Sequence, residues 1–251
     1  MLEKIIIENL SDKYIWRHIM HIIVPENYTN SVFSYFFIDS GRMNEINSGH
    51  LSYVTSMAVS FNCIGVIIRQ IPNQPIAFRD DSVSRLEDDA IAFTFSLFFS
   101  KQKQQQYGNA YKNLPLIAPM VKVNKMKINF ILAKLILINA LFKAVKRGMD
   151  VTQLFLSRNN VRAPDAFILS GISKRGWTAW LTTAIVSDRV LGAAPIVFDL
   201  INMNKCLHEQ FKSLGGHSFA YADYWLVGKL FDHLDTAELD DLASVIDPYG
   251  K

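Results

Sequence analysis

The segment Phe167-Ile168-Leu169-Ser170-Gly171-Ile172-Ser173-Lys174-Arg175-Gly176-Trp177 constrains this chain more than any other. An apolar run reads as a central strand, a tight turn of small residues follows with a serine at its apex, and a helical pattern begins at once. Small residues let a strand and the helix after it approach closely. The helix start offers backbone N–H groups and the positive end of its dipole to a developing oxyanion. A serine held on such a turn is placed for nucleophilic attack.

This is the way an α/β-hydrolase presents its nucleophile, and the expected fold is an α/β-hydrolase-like three-layer sandwich with a mostly parallel sheet. The spacing is Gly171-x-Ser173-x-x-Gly176, one residue longer than Gly-x-Ser-x-Gly. Two roles suit Ser173 by pattern: a nucleophile, or a cap on the helix that begins near Lys174. For acyl transfer, the Lys174 N–H and the loop at Gly41, after an early strand, would supply the oxyanion donors. Asp39, beside that loop, is a poor neighbour for a negative intermediate. Lys174 and Arg175 offset charge or bind an acidic substrate group; the alternative is that they face solvent or pair with acids.

A serine hydroxyl needs a base. In this fold the acid and the histidine follow the serine in chain order. Asp199 ends a strand and suits the acid by position. His217, beside Gly215-Gly216, is the nearest substitute for the base, its plainer reading being a polar cap histidine. His208, His217 and His233 lack tight metal-ligand spacing, so neither a metal nor another cofactor is expected.

The chain has 251 residues, 50% of them hydrophobic, which fits one large α/β domain or a domain with a small cap. A net charge of +3 without any long basic block argues against nucleic acid. Cys63 and Cys206 set no disulfide framework, and Cys63 reads as a buried thiol. Met1–Leu10 does not read as a signal peptide, because Ile5-Ile6-Ile7 is too short an apolar stretch. Asn27-Tyr28-Thr29 is a glycosylation triplet that matters only on a secretory route.

Strands are expected over Tyr14–Val24, Val32–Ile38, Ile64–Ile68 and Val190–Phe198, and helices over His50–Phe61 and Arg175–Val186. Strand, helix, strand from Val32 to Ile68 opens a βαβ pattern. Ser84-Arg85-Leu86-Glu87 has capping-box spacing and is expected to open a helix. The acids after Arg85 favour a helix N-terminus; the competing reading places Asp80, Arg85, Glu87 and Asp88 on the rim of a substrate site. Lys101–Tyr107 reads as a helix end or linker and Leu114–Met120 as the approach to another helix. The organisation expected is a core over 1–199, a helical cap or excursion over 200–246, and the start of further core at 247–251.

Several segments resemble the PhoPQ-activated pathogenicity-related protein family, which includes the amoebal autocrine proliferation repressor proteins. They are Pro72-Asn73-Gln74-Pro75-Ile76, Arg85-x-Glu87-Asp88-x-Ala90-Ile91-Ala92-Phe93-Thr94, Pro119-Met120-Val121-Lys122, Arg147-Gly148-Met149-Asp150, Ser170 to Leu181, and Asp247-Pro248-Tyr249. The resemblance implies an α/β-hydrolase-like fold with Ser173 at the nucleophile position. It also implies export from the cell and peptidase-like activity. The partner would be a peptide substrate or, for a non-enzymatic protein that represses proliferation, a cell-surface receptor. Family members are richer in glycine at the loop holding Gly41. They continue past Asp-Pro-Tyr, where the acid and histidine are expected, so this chain is expected to be C-terminally incomplete and inactive by itself, or a non-functional fragment.

Between Lys122 and Arg147 the family pattern expects one continuous helix with only a few residues. Deleting Val123–Lys143 restores that spacing. The excess is rich in Ile, Leu, Asn, Lys and Phe, residues of AT-rich codons, and reads as an intron translated in frame; the competing view is a hydrophobic helix or lid. Ile128–Phe142 contains Lys134 and has 15 residues, too few for a membrane span of ~20. Transcripts lacking codons 123–143 would establish the intron.

Overall fold

The structure, a computed structural model, describes residues 11–12, 15–29, 31–42, 45–46, 48–79, 81–100 and 136–249, the first five residues of the last stretch as helical backbone only. Met1–Leu10, Tyr14, Asp80, Lys101–Tyr107, Leu114–Lys122 and 123–135 of the expected excess lie outside the described residues. The chain divides into two compact units, one formed by Ile15–Gln74 with Leu141–Phe198, the other by Asp199 onward with the segments before Ile15 and after Gln74.

The first unit is built on a five-stranded sheet. Its strands are β1 (Met20–Ile23), β2 (Phe33–Ile38), β3 (Ile64–Ile68), β6 (Ala166–Ile172) and β7 (Val190–Ile196), in the order β1-β3-β2-β6-β7. Only β1 runs antiparallel. The central strands are nearly uninterrupted apolar runs because both faces are covered. Along β2, Tyr35 and Phe37 pack with Val54, Cys63 and Ile67 under helix α1 (Leu51–Ser60). Phe36 points the other way, toward Gly148 of helix α3 (Ile136–Arg158), where an added Cβ would meet its ring at 2.8 Å. A mostly parallel sheet flanked by helices is thus established, consistent with an α/β three-layer sandwich.

Expected and observed elements agree closely at 33–38 and 64–68, where burial is nearly continuous, and at 51–60, a helix buried at Val54 and Ala58. Cys63 is fully buried, as read from the sequence. The expected strand at Tyr14–Val24 contracts to Met20–Ile23. The backbone before it serves other bonds: Arg17 O accepts from Asn73 Nδ2 at 2.7 Å, and Ile19 O from Arg69 N. The strand expected to reach Phe198 stops at Ile196, where Val197 turns to φ 51°.

Connections set the place of the site. From β2 the chain passes through α1 to β3 on one side. From β6 it passes through α4 (Lys174–Ile185) to β7 on the other. The carboxyl ends of β2 and β6, neighbours in the sheet, therefore flank a topological switch point, the usual ligand position in open α/β sheets.

Asp150 of α3 pairs with Arg189 ahead of β7 and with Lys146 one turn back. Burial alone would raise its carboxyl, but these cations outweigh that effect and hold it below its ordinary value. A lowered folded-state value gives stability that is present above the unfolded carboxyl range and lost as pH falls through the folded value. With the carboxylate one-third exposed, Asp150→Asn is expected to cost under about 1 kcal/mol at pH 7. The gap to wild type should close in acid, as read by urea denaturation at pH 7 and pH 3; an equal gap at both would remove the ion-pair account.

In the second unit a two-stranded ribbon pairs β4 (Ile76–Ala77) with β5 (Ser84–Arg85), before helix α2 (Glu87–Phe99). The capping-box expectation fails here. Ser84 is spent on the ribbon, and the residue flanking the helix is Leu86, which makes no side-chain cap. The acids do occupy the first turn, at Glu87, Asp88 and Asp89. Beyond Asp199 come α5 (Met203–Leu214), α6 (Ala222–Leu226) and α7 (Ala237–Ile246), with single 3-10 turns before and after α6. Tyr224 Oη donates to Asp88 at 2.8 Å, and the Asp247 carboxylate caps α5 by accepting from Asn202 N and Met203 N.

Candidate active site at the carboxyl ends of two neighbouring strands

Ser173 follows β6 directly and precedes α4, with φ 57° and ψ −123°. A positive φ on a serine with this ψ lies outside the small left-handed region open to side-chain residues and costs of order 1–3 kcal/mol. The turn is fixed on both sides: Ser173 N donates to Ile196 O at 2.8 Å, and Trp177 N to Ser173 O. Close packing explains the small residues. A Cβ on Gly171 would come within 2.7 Å of the Arg175 carbonyl carbon and oxygen, and one on Gly176 within 3.0 Å of Gly171 O. Ser173 stands at the helix N-cap position, yet its side chain makes no capping bond. The capping alternative is therefore not the use this serine is put to.

Beside it, β2 ends at Ile38, which lies opposite Gly171. Asp39 follows, 3% exposed, and gathers a cluster. It accepts from Ser40 N at 2.8 Å, from Ser48 Oγ at 2.6 Å and from His50 Nδ1 at 3.0 Å. His50 N in turn donates to Ser48 Oγ at 3.0 Å. This Ser48–His50–Asp39 arrangement is consistent with a serine-hydrolase-like triad in its residue types and its Asp–His bond. The Ser48 hydroxyl, however, is directed to the carboxylate and not to the imidazole.

Arg69, buried at the end of β3, approaches Asp39 Oδ2 at 3.7 Å and bonds Glu45 O. The negative charge that the sequence flagged beside the oxyanion loop is thus already offset. Gly41 has φ 133°, a conformation that strains any residue with a side chain, and that is the reason for glycine here; the Arg69 guanidinium lies close by. Bonds from Gln70 N to Ser40 O and from Ile71 N to Asp39 O fix the loop to the segment after β3.

Other sequence candidates have different surroundings. Arg175 is buried, with Nε donating to Ile71 O at 2.7 Å, and Lys174 is buried beside it. Neither faces solvent as one alternative had it. In the second unit, Arg85 bonds both Asp81 and Asp89 and lies 4.3 Å over the Phe93 ring. Glu87 starts α2 at φ 52°, and Asp88 accepts from Tyr224. Asp199 O accepts from Tyr221 Oη and Cys206 Sγ, and its carboxylate helps burial push the Cys206 thiol up to about 11. His217 sits among the rings of Phe211, Trp225 and Phe231. Ser48, His50 and Arg69 were not singled out from the sequence. A signal was available in Ser48-Gly49-His50, set at a helix start shortly after a strand that an acid follows.

Among the described residues no helix is long and apolar enough to cross a membrane, and no group of three or more His, Cys, Asp or Glu is placed to hold a metal. Comparison with known proteins adds two findings. The sequence model of the family described as PhoPQ-activated pathogenicity-related protein matches residues 6–250. Autocrine proliferation repressor protein A of Dictyostelium discoideum is 30% identical over 243 residues, covering 96% of this chain and 42% of that protein. The chain therefore spans less than half the length of this relative.

Proposed function

This chain belongs to the PhoPQ-activated pathogenicity-related protein family, and from that premise we propose that it carries a serine-hydrolase-like site for acyl transfer, with Ser173 as the nucleophile on an α/β-hydrolase-type scaffold. The observation that carries the proposal is the strained positive-φ backbone of Ser173 between β6 and α4. Strain of this size persists only where the surroundings over-determine it, and it concentrates at functional sites. Ser173 Oγ attacks the acyl carbon. The Lys174 N–H, first of the helix, and the loop at Gly41 on the neighbouring strand end hold the oxyanion.

Family membership favours a peptide as substrate and a place outside the cell. The relative's name concerns repression of proliferation, and a growth-restraining role for this chain is part of the same proposal. The test is reaction with a fluorophosphonate probe, with the adduct mapped by mass spectrometry of tryptic peptides. An adduct on Ser173 is expected. An adduct on Ser48 would move the nucleophile to the Asp39 cluster. No adduct on a folded chain would favour a scaffold that binds a receptor without chemistry.

A further inference from the structure

Resting on that reading of Ser173, we propose that Arg175 is a positioning residue: it fastens the loop 39–42 to the first turn of α4 and so holds both oxyanion donors in one frame. Arg175 stands two residues past Ser173, within that turn. Its Nε donates to Ile71 O at 2.7 Å, and Ile71 N donates to Asp39 O at 3.2 Å. One residue thus takes the arginine on its carbonyl and grips the loop with its amide. The residue before it adds two bonds. Gln70 N donates to Ser40 O at 3.2 Å, and Gln70 Nε2 to Arg42 O at 3.1 Å. Gly41 lies between the residues held in this way.

The order of strands tells what the side chain spans. β2 lies between β3 and β6. Arg175 starts beside β6, where a Cβ added to Gly171 would lie 2.8 Å from the arginine's own Cβ. It ends on the segment that follows β3. The side chain therefore crosses the carboxyl end of β2, from which the loop 39–42 departs. The ladder between β2 and β6 closes with Ile38 opposite Gly171, and beyond that pair Arg175 ties the loop to the turn of the serine.

Burial and chemistry suit an arginine to this part. Arg175, Gln70 and Ile71 are all buried. A charged donor makes a short, strong bond in such surroundings, because water does not compete for the carbonyl. The guanidinium is planar and rigid, so the direction of its Nε–H follows the stem and conveys position as well as charge. Position is what the reaction needs. As Ser173 Oγ bonds to the acyl carbon, negative charge builds on the carbonyl oxygen, and donors stabilise it only where they are already in place. A shift of about 1 Å in such a frame costs on the order of 10²-fold in rate. This role differs from the binding of an acidic substrate group.

Fluorophosphonate labelling of Ser173 reads this frame, because the phosphonyl oxygen takes the oxyanion position as Oγ bonds to phosphorus and fluoride leaves. The maximal labelling rate and the half-saturating probe concentration should be measured for wild type, Arg175→Met, Arg175→Lys and Gln70→Met, each scaled to its folded fraction by circular dichroism. Arg175→Met is expected to lower the maximal rate about 10- to 100-fold and to keep half-saturation within about twofold of wild type. Arg175→Lys keeps the charge without the planar Nε donor and should recover part of that loss. Gln70→Met loosens the loop from its far side and should lower the maximal rate about 3- to 10-fold. An arginine that only supports the fold would lower the denaturation midpoint and leave the rate per folded molecule at the wild-type value. That result in Arg175→Met, or in both other variants should Arg175→Met not fold, would overturn the positioning role and leave Ser173 as nucleophile. A change confined to half-saturation would overturn it in favour of substrate binding. If wild type is not labelled on Ser173, the nucleophile reading fails and the tie has nothing to position.

Discussion

Ser173→Gly is expected to abolish phosphonate labelling while leaving the protein more stable than Ser173→Ala. Both variants remove the hydroxyl. They differ in backbone freedom, because alanine keeps the penalty of φ 57°, ψ −123° and glycine does not. Relief of about 1–3 kcal/mol is partly cancelled by the roughly 0.4–1 kcal/mol that glycine's extra freedom adds to the unfolded chain. The net advantage of glycine should be about 1 kcal/mol, read as a higher denaturation midpoint at unchanged slope. Equal midpoints for the two variants would mean that the turn stores no strain, and the main support for a nucleophile at this position would go with it. Wild type should also fall below Ser173→Gly in stability, the pattern of a site kept strained for activity.

Gly171→Ala should be the most damaging single methyl that can be added to the sheet unit. Its Cβ would lie 2.7–2.8 Å from Arg175 backbone and side-chain atoms. Helix backbone cannot yield as a flexible side chain can, so α4 must lift from β6. Overpacking of this kind costs roughly 1–3 kcal/mol and occasionally more, and the rigid neighbour places this variant at the upper end. Against a total stability of about 5–15 kcal/mol, that is a large fraction. Labelling should fall as well, because α4 carries the Lys174 N–H and fixes the Ser173 turn. Gly192→Ala is the control: a Cβ there meets nothing within 4 Å, and its midpoint should stay near wild type. A Gly171→Ala variant as benign as Gly192→Ala would show that strand and helix are not locked at this turn.

The two outcomes separate chemistry from scaffold. Loss of labelling in Ser173→Gly with gained stability locates the reactive group. Loss of both in Gly171→Ala shows that the turn is held by packing between β6 and α4. Neither result depends on which group acts as the base.

By itself, the sequence determined what short-range pattern can determine. Phe33–Ile38 and Ile64–Ile68 are nearly continuous apolar runs, the first broken by Ser34, because buried parallel strands leave no polar face, and each is legible without its neighbours. Leu51, Val54 and Ala58 recur at helical spacing, and the observed α1 covers them. Gly171, Ser173 and Gly176 lie within six residues of one another, so the turn and its close packing were legible too. Family membership rested on such local segments as well.

Tertiary structure decided what depends on partners far along the chain. Ser84 has a capping-box spacing, but Ile76–Ala77 pairs with it and draws it into a ribbon. Tyr14–Val24 has strand composition, yet among its described residues the strand covers Met20–Ile23, paired with β3. The Asp39 cluster was hidden for the same reason. Asp39 and His50 are 11 residues apart, a spacing that no helix or strand period makes meaningful. That Asp39 leaves the sheet next to the strand carrying Ser173 follows only from the register that sets Ile38 against Gly171. Periodicity reports which face of an element is buried, whereas a site is assembled by the order in which strands pair, and that order is a property of the folded sheet.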